Sequence, residues 1–146
     1  MSQQLDHPNI VRCFGKAQGT CYSEELSREV DVTAIMMEYL GGGDLFDLIK
    51  FGGAFNEDQA RLIFIQILDG VQHIHTKGIS HLDLKLDNIF VASTDDLKGS
   101  NGLIKIGDFG LSAVTKCPNS DTINYKVGSD GFQAPEILVD HPNFVG

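Results

Sequence analysis

Apolar side chains recur at three- and four-residue steps through one long segment in the middle of the chain. This spacing places a single apolar stripe along an α-helix. Asn56 precedes the segment as an N-cap, and Gly78 follows it where helices commonly end. The pattern therefore predicts a helix from Asn56 to Lys77. Its apolar positions are Ala60, Ile63, Phe64, Ile67, Leu68, Val71 and Ile74.

Shorter apolar runs, partly β-branched, lie on both sides of this helix and predict strands. Polar residues rich in turn formers separate the runs and predict the connections between them. The run at 32–40 is apolar almost throughout, which predicts a buried strand. The strands are predicted within residues 10–15, 32–40, 89–91 and 103–106, and the connections at 21–30 and 92–102.

Three glycines, Gly41 to Gly43, end the strand predicted at 32–40. The carboxylate of Asp44 can then cap a short helix that reaches Lys50. Strands, one long helix and a later hairpin with polar residues at its mouth predict an α+β fold. The length of 146 residues fits one domain.

Composition and charge narrow the class of protein. Hydrophobic residues make up 42% of the chain, but no apolar run is long enough to span a bilayer, so we expect a soluble, intracellular and cytoplasmic protein. The formal charge of −9 argues against nucleic-acid or membrane partners, and it implies that a polyphosphate ligand would need a divalent metal. The cysteines Cys13, Cys21 and Cys117 lack metal-ligand spacing, which indicates reduced thiols.

Candidate chemistry is concentrated in His81-Leu82-Asp83-Leu84-Lys85-Leu86-Asp87-Asn88, which holds a carboxylate, an ammonium group and an amide close together. Three other motifs accompany it: Met37-Glu38-Tyr39-Leu40 before it, and Asp108-Phe109-Gly110 and Ala134-Pro135-Glu136 after it. Each of these alone is a weak signal, because such tripeptides are mostly turns and charged residues mostly lie at the surface. Gly128-Ser129 precedes the last motif. Chance is a poor explanation for all of these motifs occurring together in one chain.

Together these motifs resemble those of serine/threonine protein kinases, in the same order along the chain. The resemblance implies a kinase-like α+β fold, with residues 1–40 as the end of the N-terminal lobe and the hinge. Residues 41–146 would be the first half of the C-terminal lobe, through Ala134-Pro135-Glu136. It also implies transfer of the γ-phosphoryl group of ATP to a protein substrate, with Mg²⁺, or alternatively Mn²⁺, as cofactor.

The resemblance also assigns catalytic and metal-binding roles residue by residue. Asp83 would accept or orient the proton of the substrate hydroxyl, and Lys85 would steady the γ-phosphate. Asn88 and Asp108 would bind the metal. Oxygen ligands of this kind suit a hard cation such as Mg²⁺ or Mn²⁺. His81 would be structural and pack near Phe109.

A second group of residues would bind the nucleotide. By the same resemblance, the backbone of Glu38 and of Leu40 would hydrogen-bond the edge of adenine. Asp44 would bond a ribose hydroxyl, and Phe90 would form the floor under the base.

One departure from the family pattern concerns regulation. Leu82 stands where the family usually carries an arginine that pairs with a phosphorylated residue, and leucine cannot form that charge-assisted pair. We therefore expect phosphorylation of Ser120, Thr122 or Ser129 not to raise activity through this position, as phosphomimetic variants in a kinase assay would check.

A second departure concerns the parts of the family pattern that the sequence lacks. Neither the glycine-rich loop nor the phosphate-binding lysine of the family occurs before Met37, and the resemblance places them upstream of Met1. The helices that complete the lower lobe also have no counterpart, so we expect Ile63, Ile67 and Val71 to lack partners.

Three interpretations remain on the sequence alone. The first is a serine/threonine kinase present as an incomplete domain. The second is a catalytically inactive, kinase-like binding or regulatory module. The missing upper lobe argues for this module, and the intact Asp83 and Asp108 argue against it. The third, a metal-binding protein that uses Asp83, Asp87 and Asp108, is weaker because nothing in their spacing requires a metal.

Overall fold

The structure is a computed structural model that describes residues 5–93, 102–114, 122–123, 127–138 and 144–145. It has the α+β character that the sequence predicts. The predicted loop at 92–102 lies largely outside the described residues, as do Cys117 and Ser120. The elements are β1 (Cys13–Ser23), β2 (Arg28–Met37), α1 (Leu45–Gly52), α2 (Glu57–Thr76), β3 (Ile79–Ser80), a 3₁₀ turn (Leu86–Asn88), β4 (Ile89–Val91), β5 (Ile104–Ile106), β6 (Ala113–Val114), β7 (Thr122–Ile123), α3 (Pro135–Leu138) and β8 (Phe144–Val145).

Helix α2 begins and ends where the sequence predicts. The Asn56 side chain accepts a hydrogen bond from the Gln59 N–H at 2.9 Å, and the Gln59 side chain accepts one from the Asn56 N–H at 3.1 Å. This reciprocal capping box satisfies two N–H groups that the helix itself cannot use. At the other end Lys77 is the C-cap, and Gly78 takes φ +66°, a conformation that favours glycine. The predicted helix is confirmed.

Helix α1 is also confirmed. The Asp44 carboxylate accepts a hydrogen bond from the Asp47 N–H at 2.8 Å and so caps the helix. Leu45 is buried at its first position, which anchors the start of the helix in the core. Asp44 is thereby fixed at the mouth of the site described below.

The hairpin of β1 and β2 differs from the prediction. The two strands pair in antiparallel register from Cys13 opposite Met37 to Ser23 opposite Arg28, so the turn is confined to residues 24–27. The prediction of a buried strand at 32–40 is wrong, since Ile35, Met36 and Met37 are each more than half exposed. The physical reason is that β1 and β2 pair only with each other among the described residues.

The core lies between α2 and the antiparallel pair β4–β5, which confirms the hairpin predicted there. The expectation that Ile63, Ile67 and Val71 lack partners is wrong, because Ile63 is buried and the other two pack against the same cluster. The large apolar residues of α2 that are exposed are instead Leu62, Phe64, Ile65 and Leu68. Burial of each core side chain stabilises the fold by about 1.5–3 kcal/mol. The buried cluster comprises Leu45, Ile63, Ile89, Val91, Ile104 and Ile106.

Side-chain amides fix β5 against α2 and against the segment before β1. The Gln66 side chain accepts from the Ile104 N–H at 2.9 Å and from the Asn9 amide at 3.0 Å. The Asn9 amide also donates to the Ile104 carbonyl at 2.8 Å. Satisfied buried polar groups of this kind define one arrangement of the backbone. They hold β5, and β5 leads directly into Asp108-Phe109-Gly110.

Among the described residues, no helix is both long and apolar enough to cross a membrane.

Candidate active site

The carboxylate of Asp83 is the centre of a buried polar cluster. One oxygen, Oδ1, accepts a hydrogen bond from the Ser129 N–H at 2.8 Å. The other, Oδ2, accepts from the Asn88 amide at 3.1 Å and lies 3.4 Å from the Lys85 ammonium. Both oxygens are therefore held by donors.

Lys85 and Ser129 complete this cluster. The Lys85 ammonium donates to the Ser129 hydroxyl at 2.6 Å, across 44 positions of sequence. The sequence pattern marked Ser129 only as part of a motif, and its contact with the site was missed. The neighbouring glycine was the available signal, because a glycine before a polar residue commonly supports an unusual turn.

Gly128 supports an unusual turn of this kind before Ser129. Its φ is +103°, and a Cβ placed there would lie 2.7 Å from the Leu82 carbonyl oxygen. A side chain would therefore force the two segments apart, so glycine is required for this approach. The close approach of Gly128 presents the Ser129 N–H to Asp83.

The electrostatics of the cluster favour an ionised Asp83. Burial by itself would raise the pKa of this carboxyl, but hydrogen bonds from Ser129 and Lys85 and the charge of Lys85 outweigh it and lower the pKa below its ordinary value. A carboxyl with a lowered folded-state pKa stabilises the protein above its unfolded-state pKa, and this contribution is lost as the pH falls through the folded-state value.

The lowered pKa of Asp83 predicts how the stability of a Lys85 variant depends on pH. We expect Lys85→Met to raise the Asp83 pKa, so that the variant is less stable than the wild type at pH 7 and the difference shrinks below about pH 4, the ordinary range of an aspartate. Urea unfolding between pH 7 and pH 3 measures it. Lys77→Met, at an exposed lysine, serves as the control. A Lys85→Met deficit that stays constant across this range would contradict the assignment.

The two predicted metal ligands approach the site from different elements. The Asn88 amide nitrogen donates both to the Asp83 carboxylate and to the Asp83 carbonyl, the latter at 2.8 Å, which leaves Oδ1 as the acceptor atom of its side chain. The Asn88 carbonyl accepts from the Gly107 N–H at 2.9 Å, next to Asp108. Asp108 itself is exposed and has φ +53°, an uncommon value for a residue with a side chain.

These residues fit a magnesium ion that is shared with a phosphate. Mg²⁺ is typically bound by one or two carboxylates together with phosphate oxygens and water. One carboxylate and one amide oxygen match that donor set. No group of three or more His, Cys, Asp and Glu side chains suited to a metal occurs in the described part of the chain.

His81 holds the backbone around the site. Its Nδ1 accepts a hydrogen bond from the Asp83 N–H at 3.3 Å, so Nε2 carries the proton that is shared with the Gly107 carbonyl at 2.9 Å. The His81 and Phe109 rings lie 4.9 Å apart between centroids, which confirms the predicted contact. A buried ring thus connects the Asp83 loop to the Asp108 loop.

An open cavity of about 610 Å³ adjoins Asp108. Most of its wall is apolar, as is usual for small-molecule sites. Glu38, Leu40 and Phe90, all predicted nucleotide contacts, line it together with Asp108. Asp44 is absent from the wall, but its backbone pairs with that of Phe90 at the edge.

Leu82, the residue that departs from the family pattern, lines a smaller cavity of about 240 Å³ beside Asp83. The apolar neighbours Val127, Phe132 and Ile137 line the same cavity. No charge-assisted contact with a phosphate is available to a leucine in these surroundings. The expected insensitivity to phosphorylation stays a prediction, because Ser120 and the side chain of Thr122 lie outside the described residues.

The structure adds one ion pair that sequence reasoning missed. The Lys105 ammonium lies 2.8 Å from the Glu38 carboxylate, and both side chains are largely shielded from solvent, at 10% and 24% exposure. The partners are 67 positions apart, so no local pattern could have indicated the contact.

Comparison with known proteins gives consistent matches. The family model described as "Protein kinase domain" matches residues 1–144. CBL-interacting protein kinase 21 of Oryza sativa subsp. japonica is 36% identical over 93% of this chain and 23% of its own length. CBL-interacting serine/threonine-protein kinase 17 of Arabidopsis thaliana is 39% identical over 93% of this chain and 28% of its own. The chain thus spans about a quarter of the length of these curated relatives.

A yeast protein provides the structural comparison. Serine/threonine-protein kinase RAD53 of Saccharomyces cerevisiae is 38% identical over 93% of this chain and 14% of its own length. A crystal structure of the Rad53 kinase domain and SCD2 superposes with a TM-score of 0.60 at 40% identity. The match covers 77% of this chain and 37% of that one.

Proposed function

The chain belongs to the protein kinase domain family, and from this we propose that it acts in a serine/threonine protein kinase, which transfers the γ-phosphoryl group of ATP to protein hydroxyls. The observation that carries the proposal is the convergence of Lys85, Asn88 and Ser129 on the Asp83 carboxylate. Phosphoryl transfer requires orientation of the attacking hydroxyl and neutralisation of phosphate charge, and this cluster offers both.

In this proposal, Asp83 orients the substrate hydroxyl and accepts its proton. Its carboxylate is held by donors on both oxygens, and its pKa is lowered by hydrogen bonds and by the Lys85 charge in spite of burial, so it is ionised at neutral pH. Lys85 is close enough to Asp83 to place its ammonium beside the transferred phosphoryl group. A fixed base and a fixed cation on either side of the reacting atoms reduce the entropy cost of reaching the transition state.

The nucleotide would occupy the 610 Å³ cavity that contains Asp108. The backbone of Glu38 and Leu40 would bond adenine, Phe90 would support the base, and Asp44 would bond the ribose. Asn88 and Asp108 would hold Mg²⁺, which neutralises phosphate charge. A metal is needed here because the chain carries a formal charge of −9 and ATP is itself an anion.

The proposal extends to the division of the domain and to the setting of the protein. Residues 1–40 would supply the end of the N-terminal lobe and the hinge, and residues 41–146 the first half of the C-terminal lobe. Its partners would be ATP and a protein substrate in the cytoplasm, and the negative charge supports the exclusion of nucleic acid and of anionic membrane surfaces.

An inactive binding module is less well supported. A module without chemistry gains nothing from a buried carboxylate that is held ionised, because burying a charged group is costly unless donors offset the cost. The structure provides Asp83 with donors on both oxygens, as a catalytic carboxylate requires.

The test is a pair of measurements on the purified protein. We expect MgATP, but not ATP with excess chelator, to raise the melting temperature, because a ligand that binds only the folded state stabilises it. We also expect transfer of labelled phosphate from ATP to serine or threonine of a general substrate such as casein. Binding of MgATP without any transfer would instead support the inactive module, and the absence of both would contradict a nucleotide site.

A further inference from the structure

We propose that Lys105 is a positioning residue for adenine recognition, and that it acts by fixing the backbone of Glu38. The inference rests on the proposed function, because it concerns how the same cavity selects its base. Glu38 lines the cavity, whereas Lys105 lies behind it and is absent from the wall. Any effect of Lys105 on the ligand would therefore be transmitted through Glu38.

Glu38 is held at three points, two of which involve its side chain. Its backbone N–H donates to the Arg12 carbonyl at 3.0 Å, and its carboxylate accepts from the Arg12 N–H at 2.6 Å. The same carboxylate oxygen accepts from the Lys105 ammonium at 2.8 Å. The Arg12 contacts attach Glu38 to the chain just before β1, and the Lys105 contact attaches it to the core.

The attachment to Lys105 is a rigid one. Lys105 is the central residue of β5, and it lies opposite Phe90 in the register of β4 and β5, on the same face of that hairpin. Its neighbours Ile104 and Ile106 are fully buried in the core. A strand fixed in this way can hold a hinge backbone in place because packed interiors resist deformation.

The Lys105–Glu38 ion pair is shielded from solvent, so its loss is expected to have a large effect. A pair largely removed from water is bound more strongly than an exposed one, and removal of one partner leaves the other charge buried and uncompensated. Without Lys105, Glu38 would keep its contacts with Arg12 but lose its attachment to the core, so its backbone would be held from one side only. The Glu38 carbonyl, which is the proposed acceptor for the adenine amino group, would then no longer be fixed toward the base.

This mechanism predicts a loss of base selectivity and not a general loss of affinity. Purine riboside triphosphate carries a hydrogen where ATP carries the amino group and keeps the ring nitrogen N1 as an acceptor, so it loses only the donation to the Glu38 carbonyl. A site built around one such hydrogen bond discriminates by about fivefold to tenfold. We expect the wild type to prefer ATP to purine riboside triphosphate by this factor, and Lys105→Met to reduce the preference to less than about twofold.

The experiment measures the dissociation constants of ATP and of purine riboside triphosphate, each with Mg²⁺, by isothermal titration calorimetry. Lys105→Arg keeps the charge and is expected to keep the preference, and Lys77→Met is a matched control at an exposed lysine. If Lys105→Met does not fold, Lys105→Met combined with Glu38→Gln removes the unpaired carboxylate and retains an acceptor for the Arg12 N–H. This double variant is also expected to lose the preference.

The outcomes separate the two proposals. A wild type that binds neither nucleotide overturns the nucleotide site and this inference together. A wild type that prefers ATP, with a folded Lys105→Met or double variant that prefers it equally, overturns the role of Lys105 and leaves the nucleotide site intact. Equal weakening of both nucleotides in Lys105→Met would also overturn it, because that result describes a purely structural residue.

Discussion

Asp83→Asn is expected to lower the rate of phosphoryl transfer by about 10²–10⁴-fold, the usual contribution of a positioned general base. The substitution preserves the shape of the side chain and removes its charge and basicity. It also places an NH₂ group in a cluster in which every neighbour of the carboxylate is a donor: the Ser129 N–H, the Asn88 amide and the Lys85 ammonium. The loss therefore combines missing proton acceptance with disturbed geometry.

These two causes can be separated by measuring binding and stability as well as rate. Facing two donors toward each other is expected to destabilise the folded state by about 1–3 kcal/mol, the cost of a buried group left unsatisfied. MgATP affinity should change little, because Asp83 does not line the 610 Å³ cavity. Asp87→Asn, an identical change at an exposed carboxylate four residues away, is the control and should keep its activity. A folded Asp83→Asn protein with near wild-type rate would refute the assignment of the base.

The features that the sequence predicts correctly are those that depend on local structure. Asp44 and Asn56 cap their helices because the acceptor and donor are three residues apart, so the spacing alone determines the contact. The order Asp83, Lys85, Asn88 is compact enough to place its groups together in one loop. The contacts of Asp83 with Lys85 and Asn88 follow from it.

The contacts that sequence analysis missed are those that tertiary structure creates. Ser129 reaches Lys85 across 44 positions, and Lys105 reaches Glu38 across 67. Lys105 has no unusual local sequence and Ser129 has only the preceding Gly128 as a signal, and each contact exists only because packing brings distant segments together. The burial of β2 was predicted wrongly for a related reason, since an apolar strand indicates burial only when a second layer covers it.

The second large effect is expected at Asp108. Asp108→Asn should remove most of the dependence of ATP binding on Mg²⁺ and so weaken ATP binding in Mg²⁺ by more than about tenfold. Even the loss of a residue that only supports a metal ligand commonly costs about 10–100-fold in metal affinity. Asparagine is a suitable replacement because the residue has φ +53°, which asparagine tolerates well. Its side-chain oxygen can also still accept from the Gly110 N–H, which in the wild type donates to Asp108 at 3.2 Å. The charge is therefore removed with little change in the backbone.

The measurement compares the ATP dissociation constant in Mg²⁺ and in excess chelator, for the wild type, Asp108→Asn and Asp69→Asn. Asp69 is an exposed carboxylate on α2, so its replacement changes the net charge equally without touching the site. If general charge repulsion set the metal requirement of this acidic protein, both variants would lower it alike. If Asp108 holds the ion, only Asp108→Asn will lower the metal requirement. The ATP affinity of this variant in Mg²⁺ will then fall toward the affinity measured with excess chelator. Retention of the full Mg²⁺ effect in Asp108→Asn would move the metal site away from Asp108, because a single amide oxygen at Asn88 is a weak ligand for a hard cation.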